Sequence, residues 1–148
     1  MSIEVRDAAA SDASAWRALF AAYGAFYETA FDEATLDRVW TLLREAGSGV
    51  DALVAESGGA VVGLAHYRSH PDTFSGGRDW YLDDLFVAPD ARGAGVATAL
   101  IEAITERARA AGGFSTLRWI TAENNVRAQR LYDRIARRTT WVTYERDA

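Results

Sequence analysis

A strand-like run, Leu82–Val87, turns at Pro89-Asp90 into Arg92-Gly93-Ala94-Gly95-Val96-Ala97, where a helix opens. The first amides of a helix lack intrahelical acceptors and carry about half a unit of positive charge, and glycines let an anion approach the backbone without a Cβ in the way. Such a turn is an anion site, and a pyrophosphate is its natural guest. A dinucleotide fold would use the same chemistry, but GxGxxG needs glycine where Thr98 stands, and no repeating βαβ pattern comes before it. A turn with a purely structural role has the same glycine spacing. Inside the preceding strand, Asp83 and Asp84 interrupt the apolar run. Neighbours on a strand face opposite sides, so one acid is expected to be catalytic or substrate-facing and the other structural or cation-binding. His66 and His70 lie four apart in an alternating stretch without HExxH, and read as surface or cleft-edge residues rather than zinc ligands.

What is missing narrows the chemistry further. The chain of 148 residues has no cysteine, which excludes thiol nucleophiles, disulfide frameworks and Cys-based zinc sites. All 16 basic residues of the Lys+Arg count are arginine, so Schiff-base catalysis and a Walker-type phosphate lysine are excluded together. No metal is expected. The charge is uneven: residues 1–91 hold 6 Arg against 15 Asp+Glu, net −9, and 92–148 hold 10 Arg against 6, net +4. That asymmetry reads either as two ligand surfaces of opposite preference or as solvated faces. The formal net charge of −5 argues against general nucleic-acid binding. No signal-like N-terminal segment and no apolar run near the ~20 residues of a membrane span are found, so the protein is expected in the cytoplasm with no membrane partner.

These residues need elements to hold them. Ile3–Ala8 reads as a first strand, and Ser11 or Asp12 caps a helix with Trp16, Leu19, Phe20 and Tyr23 on a core stripe. A second helix over Glu33–Glu45 carries Leu36, Trp40 and Leu43 on one face. Asp51–Glu56, the Gly58-Gly59 turn and Ala60–Ser69 form a hairpin, since the glycine pair supplies the positive φ of a two-residue turn. Trp80–Val87 is another strand, Gly95–Ala111 a helix, Leu117–Ala122 a short strand, and a helix capped by Asn124 or Asn125 runs to about Ala136. Thr139–Glu145 alternates as a last strand, giving β-α-α-β-β-β-α-β-α-β in one domain over 1–148. Phe74, Trp80 and Trp119 read as core or cleft-wall aromatics. Arg127, Arg130 and Arg134 either line a phosphate or form a solvated helix face.

Strand-Arg-x-x-Gly-x-Ala-helix, followed by a strand and Asn125-x-x-Ala128-x-x-Leu131-Tyr132, resembles the GCN5-related N-acetyltransferase superfamily. Within it, Tyr81-Leu-Asp-Asp-Leu-Phe-Val87 and Gly63-Leu-Ala-His-Tyr are similar to the polyamine acetyltransferases and the related fungal histone and polyamine acetyltransferases. The resemblance covers Gly63 to Tyr144 in detail and the N-terminal helices by order alone. It implies an α/β fold whose mixed central sheet splays at its fourth and fifth strands, beside a bulged fourth strand, with acetyl-CoA in the gap. By that likeness the backbone of Leu85, Phe86 and Val87 pairs with pantetheine, and the amides of Gly93, Ala94, Gly95, Val96, Ala97 and Thr98 hold the pyrophosphate. Arg92 begins the motif, while Asn125 contacts the pantetheine arm and Ala128 belongs to the same cofactor set.

The resemblance also implies roles. A primary amine near pKa ~10.4 is protonated at pH 7, so about 4–5 kcal/mol separates the ammonium from its nucleophilic form. Asp83 stands where the family has Glu and is expected as general base, through a water because it is one methylene shorter. Tyr132 is expected to protonate the departing thiolate. Tyr27, Glu28 and Asp32 lie where the family's first helices wall the acceptor site, and with Asp84 they point to a cationic acceptor. The family's Gly-Phe pair before the last strand is replaced by Thr140-Trp141. The terminal strand is left to pair within the monomer or with a second copy, and a homodimer is expected. The resulting expectation is acetyl transfer to a primary amine of a small cationic metabolite such as a polyamine. A protein lysine or N-terminus is the alternative acceptor, a non-catalytic acyl-CoA sensor is the alternative of another class, and a nucleotide-binding structural domain is a third reading.

Overall fold

The computed structural model describes residues 2–148, apart from the side chains of Phe114 and Ser115. Its strands are β1 (Ile3–Asp7), β2 (Asp51–Ser57), β3 (Ala60–Pro71), β4 (Arg78–Val87) and β5 (Phe114–Arg118). They form one sheet in the order β1-β2-β3-β4-β5, antiparallel throughout except for the parallel pair β4 and β5. The helices are α1 (Ala13–Phe26), α2 (Glu33–Arg44), α3 (Val96–Ala111) and α4 (Val126–Ile135). A parallel pair needs a crossover, and α3 supplies it.

Both faces of the sheet are covered, so the central strand β3 is buried without a break from Gly63 to Tyr67. On one face Ala65, Tyr67 and Leu82 pack beneath Val96, Leu100, Ile101 and Ile104 of α3. On the other, Leu64 and Phe86 meet Trp16 and Phe20 of α1 and Leu36 of α2. The 3.6-residue apolar spacing of each helix produces these seams, and each fully buried aliphatic side chain contributes about 1.5–3 kcal/mol. Asp12 precedes α1 but does not cap it with its side chain; its carboxylate instead accepts from Arg6 at 2.7 and 2.9 Å and from the Ala9 amide, which ties α1 to β1.

Two features position the site. First, the β4–β5 ladder joins Arg78, Trp80 and Tyr81 to Phe114, Leu117 and Arg118, and β4 then runs on from Leu82 to Val87 beyond it. The sheet is therefore splayed where the resemblance placed the gap. Second, β4 carries a bulge: His66 pairs with Asp84 and Tyr67 with Leu82, so Asp83 has no partner across the ladder.

The bulge corrects the expectation that Asp83 and Asp84 face opposite sides. Asp83 accepts from Arg68 and Asp84 from His66, and these two residues of β3 are two apart and share a face. Three further expectations change. Residues 139–145 form no strand and leave Trp141, Val142 and Tyr144 82%, 74% and 90% exposed, because Thr139, Trp141 and Thr143 stand across a cavity from Leu117 and Trp119 instead of pairing with a strand. The fifth strand lies at Phe114–Arg118, earlier than Leu117–Ala122, since its partner is the start of β4. Phe74, at the tip of the loop between β3 and β4, is fully exposed rather than a core or cleft-wall ring.

Candidate active site

The splay opens a cleft of about 630 Å³ between the end of β4, the start of α3 and the exposed flank of α4. Leu85, Phe86 and Val87 form one wall, and Arg92, Gly93, Gly95, Val96, Ala97 and Thr98 form the floor. Gly93 and Gly95 have φ of +82° and +85°, and no atom lies within 4 Å of where a Cβ would stand. Only glycine holds that backbone without strain, and the open space above it is what an anion at the first turn of α3 requires. The unpaired end of β4 offers main-chain groups to an extended ligand, as a further strand would. A pantetheine arm carrying a pyrophosphate fits both features.

Arg92 is held from both sides: its Nε donates to the Val87 carbonyl at 3.2 Å and its guanidinium lies 5.5 Å from the Phe86 ring. That contact fixes the turn between β4 and α3. On the facing side, Asn125 caps α4, its Oδ1 accepting from the Ala128 amide at 3.3 Å. The amide NH₂ of Asn125 and the second lone pair of its Oδ1 are then left for a ligand. Asn125, Ala128, Leu131 and Tyr132 line the cleft together with Arg127 and Arg134, whereas Arg130 is exposed outside it. The i, i+7 arginines bring positive charge to the wall, where a phosphate would be paired.

Tyr132 closes the inner end. Burial first, then the neighbouring Tyr27, holds its phenol above the usual range, so it carries its proton at neutral pH and can give it away. Tyr23 and Tyr27 line the same end. Burial raises the Tyr23 phenol too, helped by the charge of Asp84 and a hydrogen bond to it, with Tyr27 and Tyr132 also near. Asp84 thus stands one side chain behind the cleft wall, in contact with Tyr23.

The remaining expected residues fall elsewhere. Ala94 sits in the turn but off the cleft floor, and Glu28 is exposed at the end of α1 with φ +56°. Asp32 is the N-cap of α2, its Oδ1 accepting from the Thr35 amide at 2.7 Å, which holds its carboxyl below the usual range. Its role is structural, not that of an acceptor wall. Asp83 accepts with both oxygens from the Arg68 Nε at 3.2 and 3.0 Å, and Arg68 stacks over Tyr81 at 4.7 Å. His66, expected at a surface or cleft edge, is 2% exposed: Trp16 Nε1 donates to its Nε2 at 2.9 Å and its Nδ1 meets Asp84 Oδ2 at 2.9 Å. Its alternation with Leu64 on a doubly covered strand is the signal that places it inside. His70 is exposed, with Nδ1 beside the Pro71 carbonyl. Among the described residues no group of three or more potential ligands converges on a metal position.

Comparison with known proteins decides what this geometry belongs to. The model of the acetyltransferase (GNAT) family matches residues 15–136. The chain belongs to that family. It is 32% identical to a D-amino-acid N-acetyltransferase of Saccharomyces cerevisiae over 92% of this chain and 85% of the relative. It is 31% identical to an N-acetyltransferase of Bacillus subtilis, over 88% of this chain and 87% of that one. The fold recurs in a ribosomal-protein-alanine N-acetyltransferase from Brucella melitensis, with TM-score 0.83, 24% identity and 100% of both chains covered. It recurs also in an aminoglycoside N-acetyltransferase solved with CoA, with TM-score 0.80 and 21% identity over 99% of this chain and 95% of that one. This GNAT chain is accordingly an acetyl-CoA-using N-acetyltransferase, with the α/β fold and splayed mixed sheet described above. Among its described residues no helix is long and apolar enough to cross a membrane.

Proposed function

We propose that this acetyltransferase acts on the primary amine of a small molecule, seated between α1 and the bulge of β4. The observation that carries the reading is the cluster of Tyr23, Tyr27 and Tyr132 on the cleft wall with Asp84 behind Tyr23, a carboxylate and a protonated phenol at the splay. Bound acetyl-CoA supplies the activated acyl carbon. A carboxylate of the bulge accepts one proton from the ammonium, and the nitrogen–carbon bond forms as the carbon–sulfur bond breaks. Tyr132 gives its phenolic proton to the departing sulfur and regains one from the acylated nitrogen. The carboxylate returns its proton to solvent, so one proton leaves per turnover.

A polyamine acceptor is supported by the net −9 of residues 1–91, from 6 Arg against 15 Asp+Glu. A second acceptor class is favoured by the D-amino-acid activity in the yeast relative's name. The test is release of CoA thiol with a panel of spermidine, diamines, D- and L-amino acids, aminoglycosides and a lysine-bearing basic peptide. Saturable turnover with a polyamine or an amino acid supports the small-molecule reading and selects the class. Turnover with the peptide alone overturns it, and so does silence across the panel while CoA still binds.

We also propose a second copy of the chain as partner. β5 ends the sheet with one side unpaired, and residues 139–145 alternate in sequence and expose Trp141, Val142 and Tyr144. An open edge and an unpaired β-rich segment in one molecule are complementary between two. Light scattering is expected to give a dimer, and truncation after Arg138 a monomer; a monomeric full chain overturns the proposal.

A further inference from the structure

We infer that Asp84, rather than Asp83, is the carboxylate that takes the ammonium proton, and that His66, held by Trp16, is the residue that positions it. The inference rests on the N-acetyltransferase reading above and says which group of that site does the work.

The indole N–H of Trp16 can only donate, so the His66 Nε2 it reaches at 2.9 Å is the acceptor. The single ring proton then sits on Nδ1 and points at Asp84 Oδ2, 2.9 Å away. The tautomer is set by a residue on α1 and read out on β4. Trp16 is fully buried and His66 2% exposed, with the imidazole edge-on to Phe20 at 5.0 Å, so neither ring has room to turn. Asp84 and Asp83 are alike in side-chain exposure, 27% and 30%, but Asp84 meets Tyr23, which lines the cleft. One carboxylate oxygen is therefore fixed by a neutral donor that carries no competing charge, and beside the Tyr23 phenol the carboxylate keeps lone pairs for an ammonium.

Asp83 is placed differently. Neither carboxylate itself lines the cleft, but both oxygens of Asp83 accept from the Arg68 guanidinium, whereas Asp84 meets the neutral His66 donor. An ammonium approaching Asp83 must displace a cation already seated there. The β4 bulge is what allows the choice, because it puts both acids on the α1 face.

The test is steady-state kinetics with the amine of that panel that turns over best. Asp84→Asn is expected to lower kcat about a hundredfold or more with the KM for acetyl-CoA unchanged, and Asp83→Asn to lower it less. Two substitutions separate positioning from packing. His66→Asn keeps an N–H donor near the place of Nδ1, and His66→Gln keeps an acceptor for Trp16 near the place of Nε2 while losing the donor to Asp84. The expected result is near-normal kcat for the first and about a tenfold loss for the second. Combining His66→Gln with Asp84→Asn should add no further loss, since the donor then has nothing to position. Calorimetric titration with CoA shows whether each variant is folded. Equal effects of the two His66 substitutions, a loss larger for His66→Asn, or a fully additive double variant overturns the positioning role. A larger loss from Asp83→Asn than from Asp84→Asn overturns the assignment of the proton, and this comparison stands even where a His66 variant fails to fold. An active wild type with any of these results sinks this inference alone, whereas a wild type inert with every amine sinks the acceptor reading beneath it.

Discussion

The two halves of the cleft are built from different material. The half made by the end of β4, the α3 turn and the α4 cap presents main-chain amides, carbonyls and glycines. The half made by α1 and the bulge presents side chains in a buried relay, Trp16 to His66 to Asp84, with Tyr23 beside it. A backbone cradle depends on conformation, so it tolerates many side chains and needs glycine only at two places. A side-chain relay depends on the identity of every member. The first suits a cosubstrate common to a whole family, and the second suits an acceptor that differs from one member to the next.

The sharpest break between the halves should come at Tyr132, where they meet. Tyr132→Phe removes the proton donor and leaves the ring against Trp119, 5.3 Å away. The expected outcome is a kcat lower by about tenfold to a hundredfold with CoA affinity nearly unchanged by calorimetry. An unaltered kcat would take Tyr132 out of the mechanism. A smaller loss is expected from the cradle itself. Gly95 begins α3 at φ +85°, a conformation that costs a side-chain-bearing residue about 1–2 kcal/mol, so Gly95→Val should raise the KM for acetyl-CoA about tenfold. The KM for the amine should not follow it. If both constants move together, the halves are not separable and the contrast fails.

The same contrast explains what could be read without coordinates. Strand-Arg-x-x-Gly-x-Ala-helix and the Asn125 cap are local in sequence, so most residues lining the cleft between β4, α3 and α4 could be named in order, although Ala91 lines it unnamed and Ala94 lies off it. The acceptor half could not. Trp16 and His66 are 50 positions apart, and no periodicity connects them. A bulged fourth strand was implied by the family likeness, yet strict alternation assigned Asp83 and Asp84 to opposite faces; one unpaired residue in the ladder is enough to reverse that. Asp32 looked like an acceptor residue because caps and ligand-binding acids share a residue type, and only the 2.7 Å bond to the Thr35 amide tells them apart. The last strand was misread for another reason. Residues 139–145 carry the alternation of a strand, but pairing is a property of two segments, and among the described residues a cavity separates this one from Leu117 and Trp119.

The arginines of α4 offer a milder way to sharpen the comparison. Arg127 and Arg134 reach the cosubstrate half, and Arg130 does not. Exposed charges are screened within about 8–10 Å at ordinary salt, so their contribution should be modest and fall as salt rises. Replacing both Arg127 and Arg134 by Ala should raise the KM for acetyl-CoA a few-fold at low salt and less in 0.5 M salt. Arg130→Ala is the control that should leave both constants in place. Equal effects from all three would mean a general field of the basic segment 92–148 rather than a phosphate contact.

The smallest expected effect is on stability and concerns what holds α1 beside the sheet. Arg6, with the Ala9 amide, keeps the Asp12 carboxyl below its ordinary value of 3.8, against the opposing cost of burial. A carboxyl with a depressed folded-state pKa stabilises the fold fully above its unfolded value and loses that contribution as pH falls through the folded one. The mooring should therefore be intact at neutral pH and weaken below about pH 4. Asp12→Asn should lower stability by about 1–2 kcal/mol at pH 7, read from denaturant midpoints, and by less at pH 3, where the wild-type carboxyl is also losing its charge. Because α1 carries Trp16 and Tyr23, the variant should also loosen the acceptor half first, raising the KM for the amine before that for acetyl-CoA. A rise in the acetyl-CoA constant alone would show that α1 supports the cradle instead, and the division between the two halves would have to be drawn elsewhere.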